Sequence, residues 1–565
     1  MDETLVQRRR WAILGVLVVC LLVVILDNTI LNVALKTIQE DLGASQSQMQ
    51  WSIDSYALVF AGLLITGGVL GDRLGRKRML LFGMAAFGVT SALCSFAGSP
   101  TTLILFRALM GIGAAAVQPQ TLSIIHNVFE PSERPKAIGI WAGASGMAIA
   151  LGPIAGGLLL KYFWWGSIFL VNVPIVIVGL VAIFVLVPDS KDPRPGRLDP
   201  LGVLLSIVAL VVLVYGVIQG GNTNHWLRWD TAGAIVVGLA LLALFVWLQK
   251  RSAHPTIDVT LFSNRHFTSG AVAIATTFFA LMGATFYLAY YLQAVRGYTA
   301  LAAGVALIAV AAAVMLASPL SARLSRRFGP RLVTGSGLAI FGLTMASYVF
   351  STQTMPQWVI EVQMFCMGAG MGLTMSPATN AIMGAVPREK AGAGAAVNNT
   401  VRQVAGALGV AILGSILAVA FRGDLGSNAT ARVAAQLDQP ARVVAQLPPS
   451  ARVGTYATAD STQSIGNALE FARSARGALA QRAKAGAPQA GPAQVSAARA
   501  TLEKFVGSSK SAFMSGMHVA SLFAGLAALL GALVAFAFLP SRREFGEAHA
   551  GPGVATQPAP AVAAR

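Results

Sequence analysis

Three charged side chains stand where charge is costly. Asp27 lies in the run Trp11 to Asn32, which is otherwise apolar or uncharged; Asp54 lies near the start of Trp51 to Leu70, and Arg107 within Leu103 to Ile125. An ionised group at the centre of a bilayer costs roughly 2.5 to 3.5 kcal/mol or more, so such residues are retained for a use. A carboxyl group near an arginine makes a proton switch, because burial favours the neutral form and an approaching guanidinium the charged one. At about 1.5 Å of rise per residue, Asp27, Asp54 and Arg107 reach similar depth and fit one layer. Structural alternatives stand beside this reading. Asp27 can be held by Arg107, Asn28 or Asn32 for packing alone, Arg107 can serve as a helix tie, and Asp54, beside Trp51 and Ser52, can be a helix-start carboxylate.

The elements that position these residues follow from composition. The 565-residue chain is 55% hydrophobic and 11% charged, with mean hydropathy +0.67, as expected of a lipid-dissolved protein. Apolar runs long enough to cross about 30 Å of hydrocarbon as helix predict fourteen spans, from Trp11 to Leu539. The expected fold class is an all-α integral membrane protein with two six-helix bundles and two extra helices. Residues 1–187 form the first bundle and 188–266 a connector holding the extra helices. Residues 267–420 and 518–539 form the second bundle, 421–517 an extracytoplasmic loop, and 540–565 a disordered cytoplasmic tail. Within the loop, Ala468 to Ala483 has helical composition.

The basic residues orient the chain. Arg8, Arg9, Arg10, Arg73, Arg76, Lys77, Arg78, Arg134, Lys136, Arg326 and Arg327 fall on one side, against Lys36, Lys161, Arg228 and Arg296 in the short loops of the other. The positive-inside rule then makes both termini cytoplasmic. The net charge of +18 is accounted for by topology and contact with anionic lipid, so no nucleic-acid partner is expected. The six histidines are scattered. Cys20, Cys94 and Cys366 lie in spans as packing residues, and no metal spacing or GxxxxGK[ST] phosphate loop is present. An enzyme with a reactive cluster and a pump powered by its own ATP hydrolysis are both disfavoured. A weak internal repeat relates Arg73, Leu74 and Arg76 after span 2 to Arg323, Leu324 and Arg326 after span 10, with Ala322 in place of Asp72.

Four stretches carry a family resemblance. Leu26-Asp-Asn-Thr-Ile-Leu-Asn-Val-Ala34, Gly68-Val-Leu-Gly-Asp-Arg-Leu-Gly-Arg-Lys-Arg78, Leu103-Ile-Leu-Phe-Arg-Ala-Leu-Met-Gly-Ile-Gly-Ala-Ala115 and Gly143 through Gly152-Pro-Ile-Ala-Gly-Gly157 resemble the motifs of spans 1 to 5 of the major facilitator superfamily, in its fourteen-span drug:proton antiporter branch. Gly368 to Pro377 and Asn398 to Gly406 are similar to spans 12 and 13 of that branch. Met110 stands where the fourth-span motif often has Gln, and acids that some members carry in later spans are missing. The resemblance implies a bacterial inner-membrane exporter of hydrophobic or amphipathic cationic compounds. It would be driven by the proton gradient without a cofactor, and a monomer is expected.

On this reading Asp27 takes a proton from outside as cargo leaves, with Arg107 as its switch, while Asp54 assists or attracts cargo. Gly68, Asp72, Arg73, Gly75 and Arg76 form a latch that holds the outward-open state, with Asp72 reaching a helix end or an arginine of the other bundle. Gly143, Gly152, Pro153, Gly156 and Gly157 let span 5 kink and pack closely. A cargo cavity is expected among Asn32, Tyr56, Phe286, Tyr290, Met371, Asn398 and Arg402, the last also readable as a packing or gating group. A dedicated exporter of one endogenous metabolite or lipid is the nearest alternative; a membrane enzyme or transport-dead receptor is more distant.

Overall fold

The computed structural model describes residues 3–130, 133–191, 199–252, 259–386, 391–427 and 492–542, with isolated positions between 465 and 472. Among these residues every regular element is helical. The long helices are α1 (Glu3–Leu42), α2 (Gln46–Leu74), α3 (Arg76–Ser95), α4 (Pro100–Val128), α5 (Arg134–Tyr162), α6 (Asn172–Leu186), α7 (Pro200–Thr223), α8 (Trp229–Arg251), α9 (Arg265–Tyr290), α10 (Ile308–Phe328), α11 (Pro330–Ser347), α12 (Gln357–Gly384), α13 (Ala391–Ser427) and α14 (Pro492–Phe538). Thirteen segments among the described residues are long and apolar enough to cross a membrane, and α5, 29 residues long, adds the remaining expected span.

Local chemistry sets the tight corners. Ser45 and Ser99 each close a capping box at the start of α2 and α4, with Pro100 in the first turn, which satisfies helix-end N–H groups that lipid cannot. Two spans are broken. A one-turn helix, Ser167–Leu170, precedes α6, so Asn172 sits at a helix start inside the protein. The end of α9 continues as a π-helical turn, Tyr291–Val295, and a short helix, Ala300–Ala306, leads into α10.

Helices α1 to α6 pack as one bundle and α9 to α14 as another, with matching partners: α2 with α4 as α10 with α12, α3 with α4 as α11 with α12, and α1 with α5 as α9 with α13. Glycines set the closest approaches at equivalent places. A Cβ on Gly113 of α4 would sit 2.7 Å from the Phe87 backbone nitrogen of α3, and one on Gly370 of α12 would sit 2.7 Å from that of Phe341 in α11. The extra helix α7 lies between the bundles, where Leu210, Val214 and Ile218 pack with Ala57 and Leu58 of α2 and Ala407 and Ala411 of α13. Helix α8 is peripheral, with little of its surface buried.

The start of α1 and the end of α14 mark one face, called here the terminal face; the opposite one is the distal face. At the distal face the chain departs from the expected loop boundaries, because α13 continues past Phe421 to Ser427 and α14 begins at Pro492. At 47 residues and about 1.5 Å each, α14 is about 70 Å long and projects well beyond the hydrocarbon. Most of Ala468 to Ala483 lies outside the described residues, although Ile465, Ala468 and Ala472 are buried.

Candidate functional site

The sequence expectation for Asp27 and Arg107 is met by the geometry. Arg107 Nη1 donates to Asp27 Oδ2 at 2.5 Å, and the side chains are 0% and 1% exposed. Three helices hold the guanidinium. Its Nε donates to the Ser52 carbonyl of α2 at 3.1 Å, and its plane lies 4.3 Å from the centre of the Tyr56 ring and 5.9 Å from that of Phe169. The other carboxylate oxygen of Asp27 accepts from Asn172 Nδ2 at 3.1 Å. Asn172 also approaches Ser91 Oγ at 3.1 Å, and Ser91 donates to the Phe169 carbonyl at 2.8 Å.

Asn172 and Ser91 were not among the sequence candidates. The signal for Asn172 was a lone amide in the apolar sixth span. Asn32, offered as an alternative partner for Asp27, instead donates to the Asn28 carbonyl. The network is incompletely paired: Arg107 Nη2, Asn172 Oδ1 and the Tyr56 hydroxyl are buried without a hydrogen-bond partner. Each such group costs roughly 1 to 3 kcal/mol when left unmet.

Asp54 contrasts with Asp27. It is 0% exposed, and neither carboxyl oxygen has a hydrogen-bond partner. Helical spacing puts it on the α2 face that carries Gln50, Ala57 and Leu58. That face meets the second bundle: Gln50 Nε2 donates to the Val410 carbonyl of α13 at 3.3 Å, and Ala57 and Leu58 pack with Ala407 and Ala411. Asp54 is therefore no helix-start carboxylate and no partner of Arg107. It is a bare acid on the packing face between bundles.

Other inter-bundle contacts also fall near the distal face. Gln293, in the π-helical turn, donates to the Val33 carbonyl of α1 at 2.9 Å, while Lys36 Nζ donates to the Gln293 carbonyl at 3.2 Å. Helix α5 is wedged between α1 and the 300–306 helix. A Cβ on Gly152 would collide with Thr29, one on Gly156 would touch the Ile30 carbonyl at 3.2 Å, and one on Gly157 would sit 2.5 Å from Leu301 Cα; the Pro153 carbonyl lies against Gly304. The surroundings of Gly143 lie outside the described residues. These contacts close the distal end between the bundles.

At the terminal face Asp72 pairs with Arg76 at 2.8 Å, one turn away. Gly75 has φ of 110°, a conformation that glycine alone adopts cheaply, and it turns α2 into α3. Arg76 N–H donates to the Ser190 carbonyl at 2.8 Å and Lys77 Nζ to the Phe184 carbonyl at 2.9 Å, tying this corner to the end of α6. Gly68 is in ordinary contact with Pro119, and Arg73 is exposed.

The expected cargo residues divide. Tyr56, Phe286, Tyr290, Met371 and Asn398 are buried, and Phe286 and Tyr290 stack edge to face with centroids 5.5 Å apart. Asn32 and Arg402 remain partly exposed. Arg402 Nη2 donates to Thr379 Oγ1 at 3.2 Å, and its guanidinium lies 5.5 Å from the Phe278 ring centre. No group of three or more metal-ligating side chains occurs among the described residues.

Comparison with known proteins places this geometry in context. The family model described as Major Facilitator Superfamily matches residues 17–410. The chain is 36% identical over 454 residues to the multidrug efflux pump LfrA of Mycolicibacterium smegmatis, covering 79% of this chain and 90% of that protein. It is 35% identical over 456 residues to the methyl viologen resistance protein SmvA of Salmonella typhimurium, covering 78% and 90%. A bacterial homologue of the human lysosomal transporter Spinster, solved in an inward-facing, occupied conformation, superposes with a TM-score of 0.59 at 17% identity, over 95% of this chain and 98% of that one. That likeness is one of fold.

Proposed function

Because the chain belongs to the major facilitator superfamily and is a multi-pass membrane transporter rather than an enzyme, we propose that it exports hydrophobic or amphipathic, cationic drugs in exchange for protons by alternating access. The relatives' names, multidrug efflux and methyl viologen resistance, support drug-like cargo. With both termini cytoplasmic in a bacterial inner membrane, the distal face is the outer one, and the conformation is closed to the outside.

The observation that carries the coupling is the unequal state of the two membrane carboxylates. Asp27 is matched by Arg107 and Asn172, which suits an ionised group. Asp54 is buried without a hydrogen-bond partner, and a bare carboxylate in such a place is tolerable only when protonated. Asp54 therefore takes a proton from outside while the bundles are parted. The neutral side chain lets α2 close on α13, and cargo entering from the cytoplasm reverses the cycle. Asp27 and Arg107 hold α1, α2 and α4 together and supply the negative charge that meets a cationic cargo when Arg107 shifts. The Asp72 corner engages the second bundle in the outward-open state, where the distal contacts are broken. Lipid and protons are the other partners, and the chain works as a monomer.

The test is ethidium efflux and substrate-induced proton release in vesicles holding wild type, Asp27→Asn or Asp54→Asn. Asp54→Asn is expected to bind ethidium and release no proton. Proton-coupled efflux by Asp54→Asn at the wild-type rate would sink this assignment.

A further inference from the structure

The second bundle carries a half-buried positive charge within a membrane span. Arg402 makes no ion pair among the described residues; its one hydrogen bond is to the neutral Thr379, and its Nε is buried without an acceptor. Among the described helices of this bundle the acids are Glu361, which accepts from Gln357 at the exposed start of α12, Asp424 near the end of α13 and Glu503 in the first part of α14. Glu361 is separated from Thr379 by about 27 Å of helix and Asp424 from Arg402 by about 33 Å. An arginine does not escape its charge by losing a proton, and intramembrane charge faces a partner or a water-filled path.

The surroundings have the chemistry of an anion seat. The guanidinium offers a planar fork of donors that matches a carboxylate. Phe278 flanks it at 5.5 Å and gives an aromatic surface for a ring attached to that carboxylate. Asn398 stands one turn earlier on the same face of α13 and is 6% exposed, with its Oδ1 unpartnered; its amide adds donors. Arg402 itself is partly exposed, so the seat opens to solvent. Asp27 lies in the first bundle and this cation in the second, so the two halves present opposite charges once Arg107 shifts away from Asp27.

We propose that Arg402, with Asn398 and Phe278, binds a carboxylate of the cargo, so that zwitterionic and aromatic-acid compounds are carried as well as cations. This rests on the reading of the chain as an exporter with cargo between the bundles. The site fixes the acidic end of such a molecule in the second bundle and turns its basic or apolar end toward the first.

The experiment uses the purified full-length chain in detergent, with benzoate as probe and isosteric, neutral benzamide as control, read as ligand-dependent shifts in melting temperature. Benzoate is expected to stabilise wild type, with apparent affinity about tenfold or more weaker in Arg402→Gln; benzamide should not distinguish them. Arg402→Lys, which keeps the charge, should still respond more to benzoate than to benzamide, and it carries the test if the glutamine variant does not fold. Equal responses of wild type and Arg402→Gln to benzoate, a lysine variant that does not discriminate, or wild type indifferent to benzoate would each overturn the proposal. None of these outcomes depends on ethidium efflux, so loss of the export reading and loss of the anion site are separately visible.

Discussion

Asp27 Oδ2 and Arg107 Nη1 meet at 2.5 Å inside the first bundle, with neither side chain more than 1% exposed. In such a pair the cost of removing one member exceeds the worth of the pair itself, because the survivor is left charged and unmatched. Arg107→Met is therefore expected to destabilise the protein by about 3 to 5 kcal/mol, and the double change Asp27→Leu with Arg107→Met by less than Arg107→Met alone. Thermal unfolding of the three variants in one detergent forms the cycle; an additive double variant would contradict a direct pairing.

Asp54 sits on the face where α2 meets α13 with no hydrogen-bond partner among the described residues, so a neutral amide there should favour the distal-closed state over the open one. Spin labels at Ser47→Cys and Thr354→Cys, on opposite bundles at the distal face, should report a larger short-distance population in Asp54→Asn than in its parent, both in a background lacking the native cysteines; identical distance distributions would contradict this role of the contact.

Neighbouring glycines in α5 should respond very differently to one methyl group. A Cβ at Gly157 would meet the backbone of Leu301, whereas one at Gly156 meets Ile30 at 3.2 Å or more, a gap that small shifts relieve. Gly157→Ala is expected to push the 300–306 helix away and shift the spin-label separation to longer distances; Gly156→Ala should leave it near wild type. Equal behaviour of the two variants would refute the α5 wedge.

Gln293 clasps α1 through Val33 and Lys36. Replacing its amide in Gln293→Leu removes a bond worth about 1 kcal/mol, a shift of about fivefold in the closed-to-open ratio. Val33 is 1% exposed, so a Val33→Cys thiol should be protected in the parent and react about fivefold faster with a membrane-impermeant maleimide in Gln293→Leu.

The spans and the Asp27 to Arg107 pair were legible in the sequence because hydropathy and stray charge are one-dimensional signals that lipid enforces residue by residue. Asn172 was not, since its meaning depends on the break before α6, and a single amide in an apolar run is inexpensive when it begins a helix. The role of Asp54 was hidden for a different reason. Its depth could be counted along α2, but the direction it faces depends on where α13 packs, a contact between residues more than 350 positions apart. Asp72 could be singled out in the sequence but not its partner, because an i to i+4 arginine and a distant one compete for the same carboxylate. Arg402 was visible as a cavity, packing or gating residue; that it makes no ion pair among the described residues required the placement of its neighbours.

The glycine contacts at Gly113 and Gly370 have a mechanical consequence. Helix backbones that touch without intervening side chains leave no slack within a half, so force entering at one helix passes undamped to the rest. The joint between the halves has such backbone contacts at one place, Gly157 and Gly304 between α5 and the 300–306 helix, and elsewhere rests on the amide bonds of Gln50 and Gln293 and the unpaired Asp54. Motion is thus concentrated at this joint, and the stiff halves act as levers whose length converts a small parting beside Asp54 into a larger excursion at the opposite face.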